Sequence, residues 1–303
     1  MNSTQTLGII LAAGRSTRLL PATSAVSKQL LPVYDKPLIY YPLSTLMLAG
    51  IRDFVVIVNP HEKAVFEKIF EHAALHMGIN VRITTQAAPN GLAEAFPIAQ
   101  NIVNLKNYQN VALILGDNVF HGATLTESLH RGTKNPDIAK IFGQKVVDPL
   151  RFGIVGIHRE TNEIEYLVEK PSMVDDCRYH NYAITGLYFF PNDVAEVAMG
   201  LVPSKRGELE IVDLIKKYYE RGRLYVEPFK RGISWFDTGT SDSLLDAAHY
   251  VKTIQTNQGF LVGSPHEVAI RSGWVEDSDM LTYIKHVEKS SYGKLLREAF
   301  LNG

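Results

Sequence analysis

Apolar and polar positions fall into two kinds of block along the first half of the chain. Residues 7–12 form an unbroken apolar run closed by a small-residue turn, the pattern of a strand buried on both faces. Residues 38–49 carry helical spacing and end at Gly50, a suitable helix stop. The next strand is 53–58, and a helix is predicted to open at Pro60 and run towards Gly78. Residues 81–86 and 111–115 read as third and fourth strands. Strands alternating with helices predict an α/β fold with a doubly wound, mostly parallel sheet.

Past about Pro136 the pattern changes. Strand-like segments at 138–147, 153–158, 164–169 and 183–190 follow at short spacing and predict an antiparallel or mixed extension. Ile211, Leu214, Ile215 and Tyr218 then repeat at i, i+3, i+4, i+7, with Gly222 as the stop of that helix. A helix beginning near Leu92 is interrupted by Pro97, which is expected to kink it. The remainder is mainly helical in pattern. With no repeat and no Pro/Gly/Ser-rich linker, the expectation is one merged core over 1–240 and a helical C-terminal appendage over 241–303.

Composition narrows the class. Hydrophobic residues at 46% and charged residues at 21% are ordinary globular usage, enough for a sizeable core. Acids and bases nearly cancel at net charge −1, with no basic run, so a nucleic-acid partner is not expected. Cys177 is the single cysteine, which excludes an intramolecular disulfide and fits a reducing, cytoplasmic setting. The apolar run 7–13 has no basic flank and is too short for a signal peptide or membrane span.

Four constellations could carry chemistry. The turn 11–18 (Leu-Ala-Ala-Gly-Arg-Ser-Thr-Arg) sits at a strand's carboxyl end, where small residues let backbone N–H groups surround phosphate oxygens. Its spelling is neither the dinucleotide fingerprint nor a P-loop. Arg18 and Lys28 flank that turn as two cations, and Lys28 is enclosed by Val26, Leu30 and Leu31. Asp117 and Asp237 each follow a strand-like segment, where carboxylates can hold Mg²⁺ against phosphate oxygens. Glu169-Lys170 and Arg206 could place charge at a second phosphate. Singly, each has an ordinary explanation as a turn residue, helix cap or solvated cation. His61-Glu62 starts no zinc motif because position 65 is Val, and no nucleophile-elbow serine occurs.

Together these segments resemble the glucose-1-phosphate thymidylyltransferases of the sugar nucleotidyltransferase superfamily. The match runs through 11–18, 26–37, 40–51, Pro89-Asn90-Gly91-Leu92-Ala93, Leu115-Gly116-Asp117-Asn118, Glu169-Lys170-Pro171, 206–211, Trp235-Phe236-Asp237-Thr238-Gly239 and 265–269, in the family's order. The resemblance implies a Rossmann-like nucleotidyltransferase fold, with a nucleotide-binding part at about 1–135 and a sugar-phosphate part at about 136–240. It implies transfer from dTTP to glucose 1-phosphate with Mg²⁺ as cofactor, giving dTDP-glucose and pyrophosphate, in a homotetramer. On the match, Arg18, Lys28, Asp117 and Asp237 are catalytic, the two acids holding the metal. Leu11, Ala13, Gly14, Ser16, Thr17, Gln29, Gln86, Gly91 and Leu92 fall on the nucleotide site. Gly153, Glu169, Lys170, Ile184 and Arg206 fall on the sugar-phosphate site. Gly122, Arg231, Glu267 and Arg271 fall on a regulatory nucleotide site, where Leu261 replaces a frequent Lys. Two glycines usual in the family's phosphate turn are replaced among Ala13, Arg15 and Ser16, so those positions must avoid positive φ or bear strain. The carboxamide of Gln86, one acceptor and one donor, matches the N3–H and O4 edge of thymine or uracil. A UTP-glucose-1-phosphate uridylyltransferase and a catalytically silent nucleotide-sugar-binding subunit are the alternatives.

Overall fold

A computed structural model describes residues 6–14, 16–175 and 177–302, so Arg15 of the phosphate turn lies outside the described residues. Strand β1 (Thr6–Ala12) is buried along its whole length. A short ribbon of β2 (Pro32–Val33) and β3 (Lys36–Pro37) leads into helix α1 (Tyr40–Leu48). Then come β4 (Asp53–Val58), α2 (Lys63–Ile69), α3 (Ala73–Met77), β5 (Asn80–Thr85), α4 (Ala95–Gln100) and β6 (Asn110–Leu115). Strands β6, β1, β4 and β5 lie side by side and parallel, with Leu7 opposite both Asp53 and Val111. Because side chains alternate across a strand, β1 feeds two cores. Leu7, Ile9 and Leu11 pack with Phe96 and Ala99 of α4 on one face. Ile10 and Ala12 pack with Leu43, Leu46 and Met47 of α1 on the other. The apolar run is continuous because both faces are covered.

The second half contributes β7 (Asn118–His121), α5 (Leu125–Thr133), β8 (Ala139–Gln144), β9 (Gly153–His158), β10 (Ile164–Glu169) and β11 (Tyr179–Pro191). They are followed by α6 (Val194–Met199), α7 (Ile211–Glu220), β12 (Leu224–Pro228) and β13 (Ser234–Asp237). The 13-residue strand β11 joins the two halves. It runs antiparallel to β6 at 187–191, to β8 at 183–189 and to β9 at 179–183. Strand β10 extends this antiparallel part, β12 lies parallel to β8, and β7 with β13 form a separate ribbon. The mixed extension predicted past Pro136 is therefore present. Helices α8 (Ser241–Gln258), α9 (Pro265–Ser272), α10 (Asp277–Val287) and α11 (Ser291–Asn302) complete the chain. No helix among the described residues is long and apolar enough to cross a membrane.

Three local expectations are corrected. The single helix expected over 60–78 is a 3-10 turn followed by α2 and α3, because α2 packs on β5 while α3 packs on β5 and also on α9 and α10. Pro97 does not kink a helix. The segment opens with a 3-10 turn at Leu92–Glu94, which leaves Pro97 in the first turn of α4, where its missing N–H has no intrahelical partner to lose. The strand expected over 138–147 stops at Gln144, and Val147 is fully exposed.

Candidate active site

The site forms where the ends of β1 and β6 meet the β7–β13 ribbon. Beyond β6, the Gly116 N–H donates to the Leu11 carbonyl (2.9 Å), which carries the chain past β1 and projects Asp117 beyond the sheet edge. The register of the ribbon sets Asp237 opposite Asn118, the residue after Asp117. The N–H and Oγ1 of Thr238 both donate to the Asp117 carbonyl, at 3.2 and 2.7 Å. Two acids far apart in sequence are thus clamped together through the backbone.

Their surroundings differ. The carboxylate of Asp117 accepts from Lys28 Nζ on one oxygen and from Asn118 Nδ2 (2.9 Å) on the other. Asn118 Oδ1 in turn accepts from Trp235 Nε1 (2.5 Å), a polar chain from β13 across to Lys28. Lys28 is buried on a 3-10 turn at Lys28–Leu30, which holds its ammonium at this point. Burial and the neighbouring Asp117 push the Asp237 carboxyl above the ordinary carboxylate range, against the pull of Lys28, Arg18 and Arg151.

Two adjoining cavities meet at Asp117, and Asp237 lines the larger of them. The larger, about 400 Å³, is lined by Gly153, Glu169 and Ile184 from the neighbouring strands β9, β10 and β11. Arg18, Lys170, Arg206 and Asp237 also line it. The smaller, about 220 Å³, is lined by Leu11, Ala13, Gly14, Lys28, Gln29, Gln86 and Gly91. Leu92, Leu115, Asp117 and Glu208 line both, so Asp117 stands in the dividing wall. Ser16 and Thr17 line neither cavity.

On the larger cavity's side, the register pairs Glu169 with Gly153, and a Cβ at Gly153 would stand 3.0 Å from Glu169 Oε2. Lys170 takes φ +43° while its N–H donates to the Phe152 carbonyl (3.1 Å). Arg206 donates to both carboxylate oxygens of Glu210 at 2.9 and 3.0 Å, so part of its charge is already engaged. Arg151, Tyr188, Trp235 and Glu208 line the cavity without having been foreseen. Strand alternation could have found Tyr188, because Ile184, Gly186 and Tyr188 follow at period two on β11 and all line it. Arg151 had no such signal, since it sits in the 3-10 turn before β9.

On the smaller cavity's side, Gln86 Nε2 donates to Glu94 Oε2 (2.7 Å) and to the Gly91 carbonyl (3.3 Å). Its NH₂ group is therefore engaged by acceptors of the protein itself. Gly91 adopts φ +105°, ψ 166°, a backbone region open only to glycine, and a Cβ there would lie 2.4 Å from the Leu209 carbonyl oxygen. The Leu209 N–H donates to the Asn90 carbonyl (2.6 Å), and the Ala93 N–H donates to the Leu209 carbonyl (3.2 Å). These bonds join the walls of the two cavities. In the turn after β1, Ser16 accepts the left-handed conformation (φ 50°, ψ 31°), so the strain expected where the usual glycines are missing is borne there.

The residues matched to a regulatory site lie elsewhere. Gly122, Glu267 and Arg271, with Leu261, line a third cavity of about 230 Å³. Arg271 Nε donates to the buried Glu267 carboxylate at 2.8 Å. Arg231 does not line this cavity, although Gly232 next to it would meet a Cβ on Gly122 at 2.6 Å through its carbonyl oxygen.

Among the described residues, no cluster of three or more His, Cys, Asp or Glu is arranged to hold a metal. Asp117 and Asp237 nevertheless fit a hard divalent cation that takes one or two carboxylates and fills its shell from phosphate oxygens and water. A soft, fully protein-ligated zinc centre does not fit this donor set.

The sequence profile described as nucleotidyl transferase matches residues 7–254. The chain is 45% identical over 293 residues to the glucose-1-phosphate thymidylyltransferase of Xanthomonas campestris pv. campestris, covering 97% of this chain and 96% of that protein. With the enzyme of the same name from Mycobacterium tuberculosis it shares 47% identity over 291 residues, covering 96% and 98% of the two chains. Among solved structures, a UDP-glucose pyrophosphorylase complexed with UDP-glucose aligns with TM-score 0.70 at 22% identity, over 82% of this chain and 99% of the other, and so shares the fold.

Proposed function

The chain belongs to the nucleotidyl transferase family, among its glucose-1-phosphate thymidylyltransferases, and from that premise we propose that it transfers the thymidylyl group of dTTP to glucose 1-phosphate. The products are dTDP-glucose and pyrophosphate. The observation that carries the reading is the placement of Asp117 in the wall shared by two cavities, with Asp237 on the side of the larger and Lys28 on the side of the smaller. One cavity takes the nucleotide, the other the sugar phosphate, and the bond is exchanged at their shared wall.

The attacking group is an oxygen of the sugar phosphate, which displaces pyrophosphate from the α-phosphorus. A phosphate monoester has its second pKa near ~6 and is largely dianionic at neutral pH, so no general base is required. The barrier to approach is repulsion. Each unit-charge pair about 4 Å apart costs on the order of 4 kcal/mol at an effective dielectric near 20. Arg18, Lys170 and Arg206 line the sugar-phosphate cavity and Lys28 the nucleotide cavity, so both anions meet positive charge before they meet each other. Holding the two reactants in line supplies the rest. Enzymes of this family use a divalent metal. Asp117 and Asp237 are the residues that would hold Mg²⁺, whose charge would supply screening of the phosphate oxygens. Gln86 presents its carboxamide oxygen to N3–H of the base, which cytosine lacks.

Thymine and uracil differ by one methyl, worth ~1–3 kcal/mol in a pocket, so dTTP is expected to be preferred over UTP by a modest factor. The test offers glucose 1-phosphate with each nucleoside triphosphate and a divalent cation and follows pyrophosphate. Equal or greater turnover with UTP would replace this reading by a uridylyltransferase. The same proposal includes a cytoplasmic homotetramer, which light scattering on the purified protein checks.

A further inference from the structure

Gln86 stands on the turn after β5, buried, and lines the smaller cavity. A carboxamide has two faces of opposite character, and in an unconstrained glutamine a half-turn exchanges them. Such a residue would accept from thymine N3–H in one orientation and donate to cytosine N3 in the other. Selectivity therefore requires something that forbids the turn.

Glu94, in the 3-10 turn before α4, supplies it. Its Oε2 lies 2.7 Å from Gln86 Nε2, and its Oε1 accepts from Asn90 Nδ2 at 2.8 Å. A carboxylate accepts hydrogen bonds and cannot donate them, so only the NH₂ end of Gln86 can face it. The Gly91 carbonyl, 3.3 Å from the same nitrogen, is a second acceptor on that side. Reversing the amide would set Gln86 Oε1 against two acceptors at once. Gln86 Oε1 accepts from no donor among the described residues and is not sealed from solvent, so it is free to meet a partner in the cavity that the residue lines. Asn90 holds Glu94 from its other oxygen, and the Asn90 carbonyl is tied to the Leu209 N–H (2.6 Å), so the carboxylate is braced on a fixed loop.

We infer that Glu94 is the positioning residue for base selection, locking Gln86 so that an acceptor alone meets the base and cytosine nucleotides are rejected. The inference rests on the nucleotide reading of the smaller cavity given above. Glu94 itself need not touch the nucleotide.

The test measures binding of dTTP and dCTP by calorimetry, without sugar phosphate, to wild type, Glu94→Gln, Glu94→Asp, Gln86→Leu and the double variant Gln86→Leu/Glu94→Gln. Glutamine at 94 can donate as well as accept, so both orientations of Gln86 are then allowed. The dTTP-to-dCTP preference is expected to fall by about tenfold or more, largely through tighter dCTP binding. Glu94→Asp keeps an acceptor-only partner and is expected to retain most of the preference. In the Gln86→Leu background the Glu94→Gln change is expected to do nothing further, because its effect passes through Gln86. An unchanged preference in Glu94→Gln, a loss as complete in Glu94→Asp, or an undiminished effect in the Gln86→Leu background would each overturn the inference. Pyrophosphate release by wild type from dTTP and glucose 1-phosphate is scored separately. Its absence, with base preference still dependent on Glu94, would remove the activity and leave the role of Glu94 standing.

Discussion

Replacing Gly91 with alanine perturbs the seam between the two cavities without touching a charged group. Its backbone, at φ +105° and ψ 166°, lies in a region that other residues occupy only at a cost of about 1–3 kcal/mol. The new Cβ would stand 2.4 and 2.5 Å from the oxygen and nitrogen of Leu209, both backbone atoms that cannot swing aside like a side chain. The contact must open, and with it the Leu209–Asn90 and Ala93–Leu209 hydrogen bonds. Two such bonds contribute about 0.5–1.5 kcal/mol each, which brings the expected loss to about 2–6 kcal/mol. At about 2 °C per kcal/mol for a chain of this size, the apparent melting temperature should fall by roughly 4–12 °C. Because Leu209 is flanked by Glu208, which lines both cavities, and Glu210, which lines the larger, KM should rise for both dTTP and glucose 1-phosphate. Thermal unfolding with steady-state kinetics checks both. A Gly91→Ala enzyme with wild-type melting and both KM values within about twofold would refute the reasoning, since the seam would then be slack.

Asp117→Asn and Asp237→Asn are each expected to lower kcat by at least about a hundredfold, and chelator should abolish wild-type activity; full turnover in excess chelator contradicts this. For Asp237 the sign also gives a pH dependence. A carboxyl pushed up on folding holds its proton to higher pH, so divalent-cation affinity falls as pH drops through that raised value, and cation-free stability falls as pH rises through it. Asp237→Asn should therefore melt higher than wild type near neutral pH in chelator while being inactive, which thermal unfolding between about pH 4 and 8 measures. Arg206→Ala should raise KM for glucose 1-phosphate by about 10–150-fold and leave that for dTTP nearly unchanged, and equal effects on both would assign it to the other phosphate. If the cavity of Glu267 and Arg271 takes a second nucleotide, calorimetry should give two per subunit in wild type and one in Arg271→Ala, whereas one in both rules that site out.

The parallel half of the sheet was legible because its strands are buried on both faces and read as continuous apolar runs between helical segments, as in 7–12 and 53–58. The boundaries that failed were set by tertiary packing. Nothing in residues 60–78 announces that α3 must turn towards α9 and α10. Motifs located Asp117 and Asp237, yet their meeting depends on the β7–β13 register, which four-residue strands do not advertise. Gln86 was visible by resemblance alone. That only its oxygen is free depends on Glu94, eight positions away in the chain, and on the Gly91 carbonyl. Arg151 escaped because a 3-10 turn has no periodicity from which an inward face could be read.

Strand β11 also shapes how the chain is made. The parallel strands β1, β4, β5 and β6 are all present once synthesis reaches Leu115, but the outer edge of β6 is covered only when Leu187 arrives. At ribosomal speeds of about 5–20 residues per second, that interval lasts roughly 4–14 s. During it the nascent protein carries an apolar strand with a row of unpaired amides and carbonyls, a template for pairing with another chain. The segment that must fill the gap first supplies β8 and β9, which pair with β11 in turn. Covering the outer edge of β6 is thus a late event in biosynthesis, and β12 joins β8 later still. Fragments ending between residues 115 and 187 should need a chaperone to stay in solution, whereas chains extending through Pro191 have the strand that seals the edge.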